Sequence, residues 1–136
     1  MTRELHVGSR FGGVRALSYS DLDTAVNLTG GIHPVHTDEA KAREAGFPGR
    51  VFHGAVCAAI MVAEVGKYFI EDKIAILKQE SRYLAPVLPG DVVTIDWTIE
   101  KLQPFKQGVT VTLFGRMHSQ GNRSVLDSTV VLRRLA

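Results

Sequence analysis

Cysteine is nearly absent. Cys57 is the single one in 136 residues, so an internal disulfide is impossible and a disulfide scaffold is excluded. That usage favours a reducing compartment. Clustered positive charge is also missing. Sixteen basic and 14 acidic residues leave a formal net charge of +2, and no Lys/Arg run exceeds Arg133–Arg134. A nucleic-acid partner calls for a basic face, which this pattern does not supply. Long apolar runs are lacking too. The most apolar stretch, Gly54 to Ala63, is too short for a bilayer and runs into Glu64 and Lys67. Residues 1–15 mix charge with glycine and lack an apolar signal region. A soluble, cytoplasmic protein with no membrane partner is therefore expected. Repeats and low-complexity tracts are absent. What remains is ordinary globular usage, 45% hydrophobic and 22% charged, which excludes a disordered chain. The length suits one domain over residues 1–136, hiding roughly two-thirds of its unfolded surface.

The first half carries helix signals. Ser20 with Asp23 has capping-box spacing, Leu22 and Val26 supply an apolar face, and Gly30-Gly31 supplies a stop. A short helix fits Asp38 to Ala45, capped by Asp38 or Thr37 and stopped by Gly46. Between them His33-Pro34-Val35-His36 reads as a loop. From Ala55 to Lys67 small and apolar residues occupy every helical face, which predicts a helix buried nearly all round. The second half reads as strands. Val93, Ile95, Trp97 and Ile99 alternate with polar residues, Val109, Val111 and Leu113 repeat the pattern, and Ile74–Leu84 and Val125–Leu132 are further candidates. Pro89-Gly90-Asp91 and Gln120-Gly121-Asn122 are turns. Hairpin-spaced strands with one buried helix predict an α+β domain, the helix packed on an antiparallel sheet.

Three histidines, His33, His36 and His53, crowd a short region. Imidazole is the proton carrier near neutral pH. Their spacing, with one cysteine, matches no metal template. His53-Gly54 directly precedes the apolar helix, whose N-terminus exposes unpaired N–H groups. Glycine there either lets a carbonyl oxygen reach the amide, as in an oxyanion hole, or lets helix and sheet pack closely.

The run from Thr29 through His33-Pro34-Val35-His36-Thr37-Asp38 to Arg50-Val51-Phe52-His53-Gly54, followed by Tyr83-Leu84-Ala85-Pro86-Val87 and Pro89-Gly90-Asp91, resembles the MaoC-like family of (R)-specific enoyl-CoA hydratases and acyl dehydratases. The resemblance spans about Val7 to Leu132. It implies a hot-dog fold, a long helix wrapped by an antiparallel sheet, and a homodimer, with a second MaoC-like subunit as a further possible partner. It implies an acyl-CoA or acyl-carrier thioester as substrate, coenzyme A entering as part of the substrate, and no separate cofactor or metal. In the family signature Asp-x-Asn-Pro-x-His, the Asp and His work on water and on the substrate α-carbon. By position the His is His36, the Asn is His33 and the Asp is Gly31, which has no side chain. The oxyanion glycine falls on Gly54. The resemblance thus implies His36 and Gly54 as the site, and His33, two residues from Gly31 and with a longer side chain, is the candidate to assist them. Asp38, Glu64 and Asp91 do not replace the Asp: Asp38 suits a helix cap, Glu64 lies nearly three turns into its helix, and Asp91 sits in a turn. The implied reaction is reversible hydration of an enoyl thioester. The alternatives are a thioesterase or other acyl-thioester enzyme, or a non-catalytic acyl-binding partner subunit.

Overall fold

The alternation read at Val93–Ile99 becomes the inner face of a sheet. In the computed structural model, which describes residues 3–136, Val93, Ile95, Trp97 and Ile99 are all at most 1% exposed. They lie on β3 (Val92–Phe105), in a five-stranded antiparallel sheet with β1 (Arg10–Ala16), β2 (Lys73–Tyr83), β4 (Gly108–Ser119) and β5 (Arg123–Leu135). The order is β1-β3-β4-β5-β2, which leaves β1 and β2 as edges. Strand β1 carries no clear period-two signal in the sequence. Gly12 and Gly13 interrupt it, and it is an edge strand whose pairing to β3 supplies the order its side chains do not.

Four helices accompany the sheet: α1 (Tyr19–Thr29), α2 (Pro34–Thr37), α3 (Glu39–Glu44) and α4 (Gly54–Tyr68). The cap of α1 is Ser18, two residues before the expected Ser20. Asp21 N–H donates to Ser18 Oγ and Ser18 N–H donates back to the Asp21 carboxylate, so the box has the expected spacing one half-turn earlier. Those Ser18 bonds hold the Asp21 carboxyl below its usual value. Gly30, at φ 69°, closes α1 in the left-handed region. The loop expected at His33–His36 is instead the one-turn α2: Pro34 starts it and His33 Nδ1 accepts from Val35 N–H at 3.2 Å. Asp38 caps α3, as anticipated, through Lys41 N–H at 3.0 Å.

Helix α4 packs Cys57, Ala58, Met61 and Val65 onto the sheet, and Phe69 just beyond its end is buried as well. It is not buried all round within one chain: Ala55, Ala59, Ala63 and Lys67, four residues apart, form an exposed stripe. One sheet covers only one side of a helix, so the opposite side needs another chain or solvent. Trp97 anchors the packing, with its indole N–H donating to the Met61 carbonyl at 2.8 Å. Gly115, opposite Trp97 in register, makes room for the indole: a Cβ there would lie 2.5 Å from Trp97 Cδ2 and 2.8 Å from Met61 Cε. Gly115→Ala should therefore destabilise by about 1–3 kcal/mol through overpacking, read as a lower urea midpoint at unchanged slope.

The turns are as expected. Gly121 and Asn122 both have positive φ and link β4 to β5. Asp91 accepts from Leu88 N–H within its turn and from the Gln120 side chain of the other.

Candidate active site

The site is assembled where the end of α1, the single turn of α2 and the start of α4 meet. Thr29 Oγ1 accepts from Gly31 N–H at 3.0 Å and fixes the exit from α1. The α2 turn is zipped to the segment before α4: Val51 N–H donates to the Val35 carbonyl at 3.0 Å, and His36 Nδ1 donates to the Val51 carbonyl at 2.7 Å. Phe52 N–H donates to the Val87 carbonyl, which ties this segment to the chain after β2. Because a carbonyl only accepts, neutral His36 carries its proton on Nδ1 and presents Nε2 as a bare base.

Arg50 holds these pieces together. Its Nε donates to the His36 carbonyl at 2.8 Å and its Nη2 to Asp23 on α1 at 2.7 Å, with 15% of the side chain exposed. Its own N–H donates to Glu39 of α3. Sequence reasoning gave Arg50 no role, although it stands in the quoted motif. A partner 27 residues away is not visible in local patterning.

His36 is half-buried, and its ring stacks on His53 with centroids 3.7 Å apart and planes at 22°. His33 is exposed and edge-on to His36 at 6.4 Å, with Nδ1 engaged in capping α2. Gly54 is the first residue of α4, and no side chain caps that end. The Tyr83 ring lies across it: a Cβ at Gly54 would be 2.9 Å from Tyr83 Cε1. An apolar cavity of about 310 Å³ lies between α1 and α4, its walls including Leu17, Ala25, Phe52, Ala55 and Ile60. This volume is at the small end for ligand pockets. Cys57, one turn into α4, is buried and its thiol is pushed up to about 12, first by burial and then by the Asp91 charge. The other acids are engaged as anticipated or elsewhere: Asp38 in its cap, Asp91 in its turn, and Glu64 paired with Lys67 at 2.9 Å. Among the described residues no group of three His, Cys, Asp or Glu side chains is arranged to hold a metal ion.

Burial lowers the His36 pKa below the usual 6.5; the bond to Val51 opposes this, and the neighbouring His53 and His33 add to the lowering. The neutral base therefore persists below pH 6.5, and the stability tied to it is present above the unfolded value and lost as pH falls through the lowered one. The acidic limb of a kcat/KM profile should accordingly have its midpoint below 6.5.

A five-stranded antiparallel sheet packed on one long helix, with a basic histidine beside that helix's N-terminus, defines an α+β protein of the hot-dog class. Residues 24–118 match the model of the MaoC like domain, and the chain belongs to that family of hydratases and dehydratases. It is 28% identical over 116 residues to the (R)-specific enoyl-CoA hydratase of Rhodospirillum rubrum, covering 82% of this chain and 81% of the relative. It is 25% identical over 119 residues to the 3-hydroxybutyryl-CoA dehydratase of Methylorubrum extorquens, covering 88% and 74%. The solved (R)-hydratase of A. caviae involved in PHA biosynthesis superimposes with a TM-score of 0.87 at 23% identity over 97% of this chain and 98% of that one, which shows the shared fold.

Proposed function

We propose that this protein is a hydro-lyase that adds water reversibly across the α,β double bond of an acyl thioester, carried by coenzyme A or a carrier-protein pantetheine. The observation that carries this reading is the free Nε2 of His36 beside the uncapped N-terminus of α4 at Gly54. His36 Nε2 takes a proton from water as the water oxygen bonds to the β-carbon. The π electrons shift toward the α-carbon and thioester oxygen, where the Gly54 amide stabilises the enolate charge. Protonation of the α-carbon completes the addition; the signature's second group falls on Gly31, and His33, two residues away, is the assisting side chain that residue order offers. Only a proton and hydroxide are added, so the reaction needs no redox cofactor or metal. The hydratase and dehydratase names of the two curated relatives support the same chemistry.

A panel of enoyl-CoAs tests the reading. Loss of the conjugated double bond without release of thiol is expected. Thiol release would instead indicate a thioesterase. Inertness toward the whole panel would favour a non-catalytic partner subunit, the reading that Gly31 at the signature Asp position favours.

The exposed Ala55–Ala59–Ala63 stripe and the unpaired edge β2 support a homodimer. Sedimentation at micromolar concentration should give twice the chain mass of 14.9 kDa. A single-mass species would count against it, and co-purification of a second MaoC-like chain would replace it. No helix among the described residues is long and apolar enough to cross a membrane. With one cysteine, a cytoplasmic location is the proposed setting.

A further inference from the structure

The helix that carries His36 is a single turn, Pro34–Thr37. One turn cannot hold itself in water, where isolated helices shorter than about 12–15 residues are marginal. Its geometry therefore depends on what fastens it from outside. Two fastenings come from residue 51: Val51 N–H donates to the Val35 carbonyl, and the Val51 carbonyl accepts from His36 Nδ1. The third is Arg50 Nε, which donates to the His36 carbonyl at 2.8 Å. A helix leaves its last carbonyls without partners. Asp38 departs from the helical path at φ −135° and ψ 113°, so α2 does not supply one here. Among the described residues, Arg50 is the only side chain from outside residues 32–37 that hydrogen-bonds to α2.

We propose that Arg50 is the positioning residue for His36: its guanidinium clamps the His36 carbonyl toward α1 and so aims Nε2 at the water it deprotonates. This rests on the hydration chemistry proposed above. The bond falls on the main chain of the reacting residue itself, so a tilt of that peptide swings the Cα–Cβ direction and carries the imidazole with it. A misplacement of about 1 Å can cost roughly 10²-fold in rate.

The clamp needs arginine chemistry. Nε holds the carbonyl while Nη2 donates to Asp23 on α1 at 2.7 Å, so one planar group ties two elements together. A lysine has a methylene where arginine has Nε, and it could not make both bonds from the same place. Glu39 does not compete for the guanidinium: it takes the Arg50 main-chain N–H and pairs with Arg43 at 3.7 Å. Asp23 is thus the one acidic partner of the guanidinium among the described residues. Arg50 lines no part of the apolar cavity between α1 and α4. With Nε and Nη2 both engaged by the protein, it acts on turnover through His36 rather than on substrate binding.

Arg50→Lys keeps the charge and removes the Nε donor. With crotonyl-CoA as probe, kcat should fall by about 10- to 10²-fold while KM changes far less. A merely structural arginine would lower the melting temperature and leave the kcat of the folded protein unchanged. That outcome would overturn the inference, as would a raised KM at constant kcat. Asp23→Ala releases only the outer end of the guanidinium, so its loss should be smaller. A loss as large as that of Arg50→Lys would place the effect on the α1 pair and overturn the role given to the His36 carbonyl. Two NMR readings are independent of turnover. In the unaltered protein the Arg50 Nε–H should exchange slowly with water; exchange as fast as in an exposed arginine would overturn the inference without any variant. In Arg50→Lys the His36 Nδ1–H resonance should shift and exchange faster, and an unchanged resonance would overturn it too. Failure of the unaltered protein to hydrate any enoyl-CoA would overturn the hydratase reading, while the NMR readings still decide whether Arg50 sets the His36 ring.

Discussion

Replacing His36 by alanine should slow enoyl-thioester hydration by about 10²-fold or more and leave the protein folded. The loss is large because Nε2 of this ring is a free base already fixed in position by the bond from Nδ1 to Val51. The fold should survive because His36 is half-buried and its side chain makes that one hydrogen bond. Arg50 continues to hold the backbone carbonyl of residue 36, which no side-chain change removes. The measurement pairs single-turnover hydration with thermal melting. A melt near that of the unaltered protein together with full turnover would remove His36 from the reaction.

Gly54→Val should cost a comparable factor, about 10²- to 10³-fold, the usual worth of one oxyanion donor. The sequence offers two reasons for glycine here, room for a substrate oxygen or close packing of helix on sheet. The space next to its Cα holds the Tyr83 ring of β2, 2.9–3.1 Å from a would-be Cβ. Tyr83 is 56% exposed and can swing outward, so Gly54→Ala should be mild and should improve when Tyr83 is also shortened to alanine. The branched methyls of valine would remain across the first turn of α4 and keep the thioester oxygen from the amide. Full recovery of Gly54→Val by Tyr83→Ala would show that ring packing, rather than the carbonyl site, is what requires glycine.

The elements differ in how plainly they can be read from residue order. Strand β3 is legible because its alternation reflects a geometry with period two, and every second side chain goes into the core. Strand β1 is not, because two glycines erase the alternation and its pairing with β3 comes from a segment some 80 residues away. The α1 cap is legible as a spacing and misplaced by half a turn, since Ser18 and Ser20 both fit the local pattern ahead of an aspartate. Burial of α4 was overestimated for one chain. Its alanine stripe is apolar enough to be buried, but a single sheet reaches only one side of it.

The same division runs through the site. Residue order alone determined the α+β class, the apolar helix led by His53-Gly54, and the presence of His36 with no carboxylate at Gly31. These are local facts: side-chain periods, helix punctuation and the spacing of a motif. Residue order also pointed to His33, two positions from Gly31, as the side chain nearest the empty space. The tertiary structure decided otherwise about that space. It turns His33 outward to cap α2 and brings His53, 22 residues from Gly31, into hydrogen-bond contact with it and flat against His36. Sequence distance is a poor guide here because α2 and the segment before α4 are joined by backbone hydrogen bonds between residues 35 and 51, which set neighbours that no local pattern encodes.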